Sequence, residues 1–279
     1  MGHIYWIASY PKSGNTWMRS FLARAVLGEE GSLNRLWSIA PDEHYGTFYQ
    51  PLLQRPIAEA GVAELAAVRP RAQSQLARSV EGFQFLKTHA MYVRHAGTPT
   101  INAEVTAGAI YLVRNPLDVV VSYSAFRNRD YDTTIEVVNQ AGHLLPRNPR
   151  HSYVPVGSWS ENVTSWTRKP NEGLLVLRYE DLLADPVSHF GRAITFLRMR
   201  LAPGALDEAV AATSFERLKS EEEQSGFVER PNVTEQFFRR GEADQWRTEL
   251  SERQIAAIAR PNRVAMTAMG YWDPDFDQL

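Results

Sequence analysis

A short apolar run, residues 4–8, leads directly into Ser9-Tyr10-Pro11-Lys12-Ser13-Gly14-Asn15-Thr16-Trp17. Residues 18–27 then have the composition of a helix. A tight turn between a strand and a helix leaves unpaired backbone N–H groups at the positive end of the helix dipole, where an anion binds readily. The sequence therefore predicts a phosphate-binding loop at residues 9–17.

The side chains of this loop suit an anion as well as the backbone does. Gly14 allows the backbone a close approach, Lys12 adds a positive charge, and the hydroxyls of Ser13 and Thr16 add donors. The lysine precedes the glycine, however, and the Gly-Lys-Ser/Thr ending of nucleoside triphosphatases is absent. The loop predicts phosphate binding without defining the nucleotide.

The remainder of the chain predicts an α/β fold. Apolar runs typical of buried parallel strands lie at residues 3–9, 83–87, 108–113 and 173–178. Helices are predicted at residues 16–27, 116–127, 158–168, 186–198, 204–212 and 251–260. This alternation predicts one P-loop-like parallel sheet with helices on both faces.

Polar or aromatic residues stand where each of the four predicted strands ends. These residues are Tyr10, Lys87, Arg114 and Tyr179. Ligands of such sheets bind beyond the carboxyl ends of the strands. The four positions are therefore expected to meet at one site.

Blocks from residue 4 to residue 246 resemble, in the same order, those of the cytosolic-type sulfotransferases. Besides the loop, the matching blocks are residues 85–89 (Phe-Leu-Lys-Thr-His), 113–123, 177–182, 213–215 and 238–246. Residues 157–166 are also similar to those of bacterial sulfotransferases that modify small molecules, including glycopeptides. The resemblance implies the donor 3'-phosphoadenosine 5'-phosphosulfate, the product adenosine 3',5'-bisphosphate and no required metal.

The resemblance also implies roles for particular residues. Lys12 would stabilise the leaving phosphate oxygen, Lys87 would contact the sulfuryl oxygens, and His89 would take the acceptor proton, with Ser122 completing the catalytic set. The implied donor site comprises Lys12, Ser13, Gly14, Asn15, Thr16, Trp17, Arg114, Ser122, Tyr179, Thr213, Phe215, Arg239, Arg240 and Gly241. In this set, Arg114 and Ser122 face Arg239 and Arg240 across the 3'-phosphate, and Trp17 stacks on adenine.

Several positions depart from the pattern of the family. Asn15 stands where threonine is usual, and Asp244 replaces a second glycine close to the expected phosphate. A carboxylate there would repel the phosphate, so Asp244 must point away or the loop must take another course. The dimerisation motif of the family is not recognisable near residues 251–252, which leaves monomer and homodimer both open.

Simpler interpretations remain for some of these residues. Arg114 could pair with Asp118 on the following helix instead of binding phosphate. The other histidines have no ligand spacing and are expected at the surface or in loops; they are His3, His44, His95, His143, His151 and His189.

Composition narrows the class of protein. The chain has 279 residues, a net charge of −2 and no cysteine, which excludes disulfides, thiolate metal sites and cysteine nucleophiles. The acidic and basic residues are interspersed, so no basic face for nucleic acid stands out. The apolar run at residues 4–8 is too short for a signal peptide or a membrane span. We therefore expect one cytoplasmic domain over residues 1–279 that contacts neither nucleic acid nor membrane.

Acceptor specificity is expected in two lids, residues 128–156 and 219–237. Aromatic residues in or near them favour a phenol or another apolar alcohol; they are Phe126, Tyr131, Tyr153, Trp159, Phe227, Phe237 and Phe238. Arginines in the same region leave an acidic acceptor open; they are Arg127, Arg129, Arg147 and Arg150.

Two functions compete with sulfuryl transfer to a small-molecule hydroxyl. One is a P-loop kinase or nucleoside triphosphatase, although Arg114 and Arg178 stand where a magnesium-binding aspartate would be expected. The other is a non-catalytic nucleotide-binding protein on the same fold.

Overall fold

A central sheet of four parallel strands organises the protein. The computed structural model describes residues 2–168, 172–230, 232–234 and 236–278. The strands are β1 (His3–Ser9), β2 (Phe83–Thr88), β3 (Thr106–Val113) and β4 (Leu174–Arg178). They lie in the order β2-β1-β3-β4, and all three pairings are parallel. Each predicted strand is confirmed to within two residues.

The helices and the lesser elements fill the intervals between the strands. The helices of six or more residues are α1 (Asn15–Leu27), α2 (Val62–Arg78), α3 (Pro116–Arg127), α4 (Tyr131–Asn139), α5 (Trp159–Thr167), α6 (Tyr179–Ala184), α7 (Pro186–Phe196), α8 (Ala205–Ala212), α9 (Phe215–Ser225) and α10 (Glu252–Ala268). Four-residue turns of helix lie at Leu36–Ile39, Gly46–Tyr49 and Trp246–Glu249. Two-stranded ladders pair Arg94–His95 with Thr98–Pro99 and Leu144–Leu145 with Val154–Pro155.

Alternate residues of the inner strands face opposite sides of the sheet, and both sides are covered. Trp6 and Tyr111 enter one apolar cluster with Trp166 of α5. Ile7 and Leu112 enter the other cluster, on the side of α1 and α7. A strand buried on both faces is apolar throughout, which is why these strands read as continuous apolar runs. The predicted arrangement of helices on both faces is confirmed.

Local signals set where two of the helices begin. The Asn115 side chain accepts from the backbone N–H of Leu117 at 3.0 Å, and Pro116 occupies the first helical position of α3. Asp185 and Pro186 repeat this device at α7. Because proline cannot donate in a helix interior but fits the first turn, these pairs fix both boundaries.

The two segments predicted as lids are more regular than expected. Residues 128–156 contain α4 and one of the ladders, and residues 219–225 belong to α9. The charged run at residues 219–223 therefore lies on a helix rather than in a loop. The second segment is described only in part, because Pro231 and Glu235 lie outside the described residues. No helix among the described residues is both long enough and apolar enough to cross a membrane.

Candidate active site

A cavity of about 930 Å³ lies at the carboxyl ends of the strands. It brings together most of the residues predicted from the sequence: Lys12, Gly14, Asn15, Thr16, Trp17, Lys87, His89, Arg114, Ser122, Tyr179, Phe215, Arg239, Arg240 and Gly241. Ser13 and Thr213 do not line it. Four strand ends thus converge on one site, as expected for a parallel α/β sheet.

The loop before α1 has a strained backbone beside the cavity. Lys12 and Gly14 both have positive φ angles, 68° and 99°. A Cβ at Gly14 would lie 2.9 Å from the Tyr179 ring, so only glycine fits between the loop and that ring. Backbone strain of this kind is concentrated at ligand sites.

Several buried polar atoms at this loop have no hydrogen-bond partner among the described residues, the Tyr10 hydroxyl and Oδ1 of Asn15 being two of them. Within the described part of the chain, the hydroxyl of Ser13 and Nε of Arg114 make no hydrogen bond, and both residues are buried. A buried donor without an acceptor costs about 1–3 kcal/mol, so such atoms call for a ligand. The pair fits a bound phosphate.

The side-chain amide nitrogen of Asn15 is hydrogen-bonded to β1 and not turned toward a ligand. That nitrogen donates to the carbonyl of Ile7 at 2.9 Å and to the hydroxyl of Ser9 at 3.2 Å. The residue therefore ties the loop to the end of β1, which threonine could not do in the same way because it has no amide.

The Lys12 ammonium lies between two aromatic rings. Its Nζ is 4.2 Å from the ring centroids of Phe126 and of Phe237. Burial, together with the nearby charge of Arg114, lowers the pKa of Lys12 to about 7. Contact with ring faces stabilises a cation, but here desolvation outweighs it.

His89 is held in one orientation by the end of β1. Its Nδ1 lies 2.8 Å from the carbonyl oxygen of Ser9. Since a carbonyl only accepts, Nδ1 carries the proton and Nε2 is free to accept one. Burial and the charge of Lys87 lower the pKa of His89 to about 3, so the ring is neutral at physiological pH.

The peptide of His89 is fixed from the other side by Asn162 on α5. The Asn162 amide donates to the carbonyls of His89 at 3.0 Å and Val156 at 2.8 Å, and its oxygen accepts from the Tyr111 hydroxyl. Asn162 is fully buried. Its role could not be predicted from the sequence, since it depends on contacts distant in sequence.

Arg114 joins the phosphate loop to the C-terminal segment. It donates to the carbonyls of Lys12 at 3.3 Å and Glu242 at 2.8 Å, and it lies over the Tyr179 ring at 4.3 Å. The alternative pairing with Asp118 is not found. The Asp118 carboxylate accepts instead from the backbone N–H groups of Asp244 at 2.7 Å and Trp246 at 3.2 Å.

Asp244 points away from the cavity, as the sequence analysis required. Its carboxylate accepts from Nε1 of Trp246 at 3.2 Å and pairs with Arg247 at 3.7 Å. Its φ angle is 60°, a left-handed conformation in which glycine is more usual. The chain thus keeps the backbone course that a glycine would take, while the side chain is turned outward.

The C-terminal arginines differ in their partners. Arg239 donates to the side-chain oxygen of Gln245 at 2.7 Å. Arg240 is exposed and pairs with Glu249 at 2.8 Å. Both line the cavity, so their charges add to those of Lys12 and Arg114.

Trp17 is oriented by Thr213 through the backbone. The indole N–H donates to the Thr213 carbonyl at 2.8 Å, while the Thr213 hydroxyl donates to Ala209 within α8. Thr213 is fully buried, and its predicted ligand contact is replaced by this positioning contact. Tyr179 packs edge-on against Trp17 with the ring centroids 5.9 Å apart.

A polar segment at residues 42–44, which was not predicted from the sequence, also belongs to the site. Asp42 lines the cavity and pairs with Lys87, its Oδ2 lying 2.6 Å from Nζ. His44 was expected at the surface or in a loop; it lies in a turn but is buried, being 2% exposed and in contact with Asp42 and Glu43. Neither residue belongs to a recognisable motif, so the only available signal was the run of charge itself.

Comparison with known proteins identifies the family. Residues 4–270 match the sequence model of the sulfotransferase domain. Sulfotransferase 1B1 of the dog (Canis lupus familiaris) is 27% identical over 247 residues, a match that covers 86% of this chain and 76% of the relative. Flavonol 3-sulfotransferase of Flaveria bidentis is 25% identical over 272 residues, covering 90% and 78%.

A solved structure has the same fold. The mouse sulfotransferase SULT7A1, complexed with PAP, superposes with a TM-score of 0.63 at 21% identity, covering 95% of this chain and 84% of that one. Because the family match extends over nearly the whole chain, this protein belongs to the sulfotransferase domain family and is a sulfotransferase.

Proposed function

We propose that this protein transfers a sulfuryl group from 3'-phosphoadenosine 5'-phosphosulfate to a hydroxyl of a small-molecule acceptor, with His89 as the general base. The observation that carries the proposal is the fixed tautomer of His89. With Nδ1 held by the Ser9 carbonyl at 2.8 Å, Nε2 is the one ring nitrogen able to take a proton.

The cationic side chains of the cavity support this donor. Lys12 and Lys87 would contact the oxygens around the transferred group, and Arg114, Ser122, Arg239 and Arg240 would hold the 3'-phosphate. The partnerless donors of Ser13 and Arg114 fit a phosphate. Charge stabilisation and positioning account for most of the catalysis of such transfers, which is the contribution these residues can make.

An aromatic platform suits the adenine. Trp17 is held by the Thr213 carbonyl, and Phe215 and Tyr179 line the same part of the site. Base stacking on an aromatic ring contributes about 1–3 kcal/mol in nucleic-acid systems. The mouse structural relative is described with PAP, which is the product this donor would leave.

The lining of the cavity favours a phenol among acceptors. Tyr45, Tyr123, Phe126 and Phe237 supply aromatic surface. Of the arginines considered from the sequence, Arg127 and Arg150 line the cavity, whereas Arg147 donates to the Ala58 carbonyl. A relative that acts on a flavonol is consistent with a phenolic acceptor. Other alcohols and glycopeptide-like acceptors belong to the same proposal.

A nucleoside triphosphatase is a poorer fit to this site. Arg114 and Arg178 follow or end the strands where a magnesium-binding aspartate would be expected. Arg178 instead packs over the Tyr271 ring at 4.4 Å.

The test combines ligand binding with turnover. Adenosine 3',5'-bisphosphate is expected to raise the melting temperature without magnesium, and labelled donor is expected to modify members of a panel of phenols, alcohols, glycopeptides and saccharides. His89→Ala should keep the thermal shift but lose turnover by roughly 100- to 10,000-fold, the usual contribution of a general base. His189→Ala, on the outer helix α7, is the control and should retain full turnover. Stabilisation by magnesium ATP alone would refute the proposal.

A further inference from the structure

The segment before α2 adds a short stretch to the edge of the sheet at the active site. The backbone N–H of Lys87 donates to the Pro41 carbonyl at 2.9 Å, and the backbone N–H of Glu43 donates to the Lys87 carbonyl at 3.1 Å. Asp42 is thereby paired with Lys87 as in a parallel sheet. Paired residues present their side chains on the same face, so this register brings the carboxylate to the ammonium.

The backbone of the segment is also held from outside the sheet. Arg19 on α1 is fully buried and donates to the Ala40 carbonyl at 3.0 Å. Its two terminal nitrogens bind Glu229 at 2.7 and 2.8 Å. Ser152 donates its backbone N–H to the His44 carbonyl at 2.7 Å. Asp42 therefore sits on a rigid support.

A chain of alternating charges begins at Lys87 and runs inward. Lys87 Nζ lies 2.6 Å from Asp42 Oδ2, and Asp42 Oδ1 lies 2.6 Å from Nδ1 of His44. Nε2 of His44 lies 2.8 Å from Glu43 Oε1. The Tyr49 hydroxyl then donates to Glu43 at 2.8 Å and accepts from Arg69 at 3.1 Å.

The two contacts of His44 indicate its charge. Nδ1 donates a hydrogen bond to Asp42, and Nε2 lies within ion-pairing distance of Glu43 without hydrogen-bond geometry, so a carboxylate flanks the ring at each nitrogen and favours the imidazolium. Burial alone would lower the pKa of His44, but the carboxylates of Glu43 and Asp42 outweigh it and raise the pKa. Likewise, burial opposes ionisation of Asp42, yet Lys87 and His44 hold its pKa well below the usual range.

This arrangement solves an electrostatic problem of the site. A carboxylate in the wall of a cavity that binds an anionic donor would repel that donor if it were unpaired. Here each oxygen of Asp42 faces a cation, so the carboxylate can fix Lys87 without presenting a net negative charge. A lysine side chain has four rotatable bonds, so a charged partner such as Asp42 is needed to hold its ammonium in one position.

We propose that Asp42 is a positioning residue for sulfuryl transfer, one that holds the Lys87 ammonium at the cavity wall while His44 balances its charge. The inference rests on the function proposed above and adds to it a residue outside the blocks found in the sequence. Asp42 acts through Lys87 and does not itself accept the proton, since both of its oxygens are engaged.

The experiment compares two variants of the charge chain. Asp42→Asn removes the charge next to Lys87. Tyr49→Phe breaks the far end of the same chain and leaves the contact between Asp42 and Lys87 intact. Turnover is measured with the best acceptor from the panel, the affinity for adenosine 3',5'-bisphosphate by calorimetry, and stability by urea unfolding.

Asp42→Asn is expected to lower kcat by roughly 10- to 100-fold, in line with the cost of about 1 Å of misplacement in an active site. Its affinity for the bisphosphate, which has no sulfuryl group, should stay within about twofold. Tyr49→Phe should lose stability but keep kcat. As a further readout, formate is expected to restore part of the turnover of Asp42→Ala, because the Asp42 side chain is 17% exposed to the cavity.

Each contrary result has a definite meaning. Unchanged kcat in Asp42→Asn would overturn the inference, and so would equal losses of kcat in Asp42→Asn and Tyr49→Phe, since the chain would then be structural only. A loss of bisphosphate affinity with normal kcat would also overturn it, by assigning Asp42 to the nucleotide site. If the wild-type protein transfers no sulfuryl group to any acceptor, the proposed function itself fails.

Discussion

Gly241 lies against the face of Phe215 so closely that a Cβ at that position would stand 2.1 Å from the ring carbon Cδ2. The φ angle of Gly241 is 69°, which also favours glycine. The contact brings the segment that carries Arg239 and Arg240 over the start of α9. Both the conformation and the space at this position therefore require the absence of a side chain.

The first prediction separates these two requirements. Gly241→Ala is expected to lower stability by about 2 kcal/mol or more and to weaken bisphosphate binding, because the Phe215 ring must move. Gly226→Ala is the matched control: its φ is also 69°, but nothing lies within 4 Å of an added Cβ. It should cost only the strain of its own backbone conformation, about 1–3 kcal/mol, since φ of 69° with ψ of 177° is adopted almost only by glycine. Urea unfolding and calorimetry measure both effects, and equal losses in the two variants would contradict the steric argument.

The second prediction concerns the proton on Lys12. Burial and the charge of Arg114 lower its pKa to about 7, so at pH 8 most molecules of the free protein carry a neutral amine there. A bound anion favours the charged form, and binding of adenosine 3',5'-bisphosphate should therefore take up a proton at pH 8 but much less at pH 6. Calorimetry in buffers of different ionisation enthalpy measures this uptake.

Lys12→Met is the control for that experiment. The phosphates can also exchange protons, but their share is the same in the variant. The pH-dependent proton uptake that is due to the lysine should be absent from Lys12→Met. Identical uptake by both proteins would contradict the prediction, since it would show that Lys12 does not change its protonation on binding.

The third prediction concerns the buried carboxylate of Glu222 on α9. Its two oxygens accept from the backbone N–H groups of Phe237 at 2.8 Å and Phe238 at 2.9 Å. Glu222→Gln replaces one oxygen with an amide that cannot accept, and it should cost about 1–3 kcal/mol. Since Phe237 also contacts Lys12, bisphosphate affinity should fall roughly 5- to 30-fold. Exposed Glu223→Gln should alter neither quantity, and comparable effects of the two substitutions would exclude a role for the buried carboxylate.

The fourth prediction is an acid sensitivity caused by His89. Its pKa falls from 6.5 to about 3 on folding, so the unfolded chain binds a proton that the folded protein does not. The stability contributed by this group is present above pH 6.5 and is lost as the pH falls toward 3. His89→Gln should be less sensitive to acid, by about 1–2 kcal/mol between pH 7 and pH 5. The readout is the difference in unfolding free energy between the two proteins at each pH. A difference that does not change with pH would mean that the pKa is not depressed.

The sheet could be predicted from sequence because its two inner strands are buried on both faces. Apolar runs such as residues 108–113 contain no alternating polar residues, so they are recognisable as buried strands. A polar or aromatic residue marks the end of each strand. Helix α4 could also have been found, since the Asp130 side chain caps it by accepting from Thr133 at 2.8 Å. The predicted lid at residues 128–156 overlooked that cap signal.

The polar contacts of the site could be predicted from the sequence only in part. The anion loop is local, so its residues could be named directly. The chain from Lys87 through Asp42 to His44 joins two segments 45 positions apart, and no spacing rule predicts such a pairing. Thr213 illustrates the same limit, because its backbone rather than its side chain holds Trp17.

The part of the cavity wall formed by residues 44–46 and 150–152 is joined through its main chain. Gly46 donates to the Arg150 carbonyl at 2.6 Å, and Ser152 donates to the His44 carbonyl at 2.7 Å. The neighbouring side chains of Tyr45 and His151, whose ring centroids are 4.5 Å apart, face the cavity without being needed for those bonds. Paired substitution of these two rings is therefore a practical starting point for engineering new acceptor preferences, because the shape of the wall can be varied while its scaffold is kept.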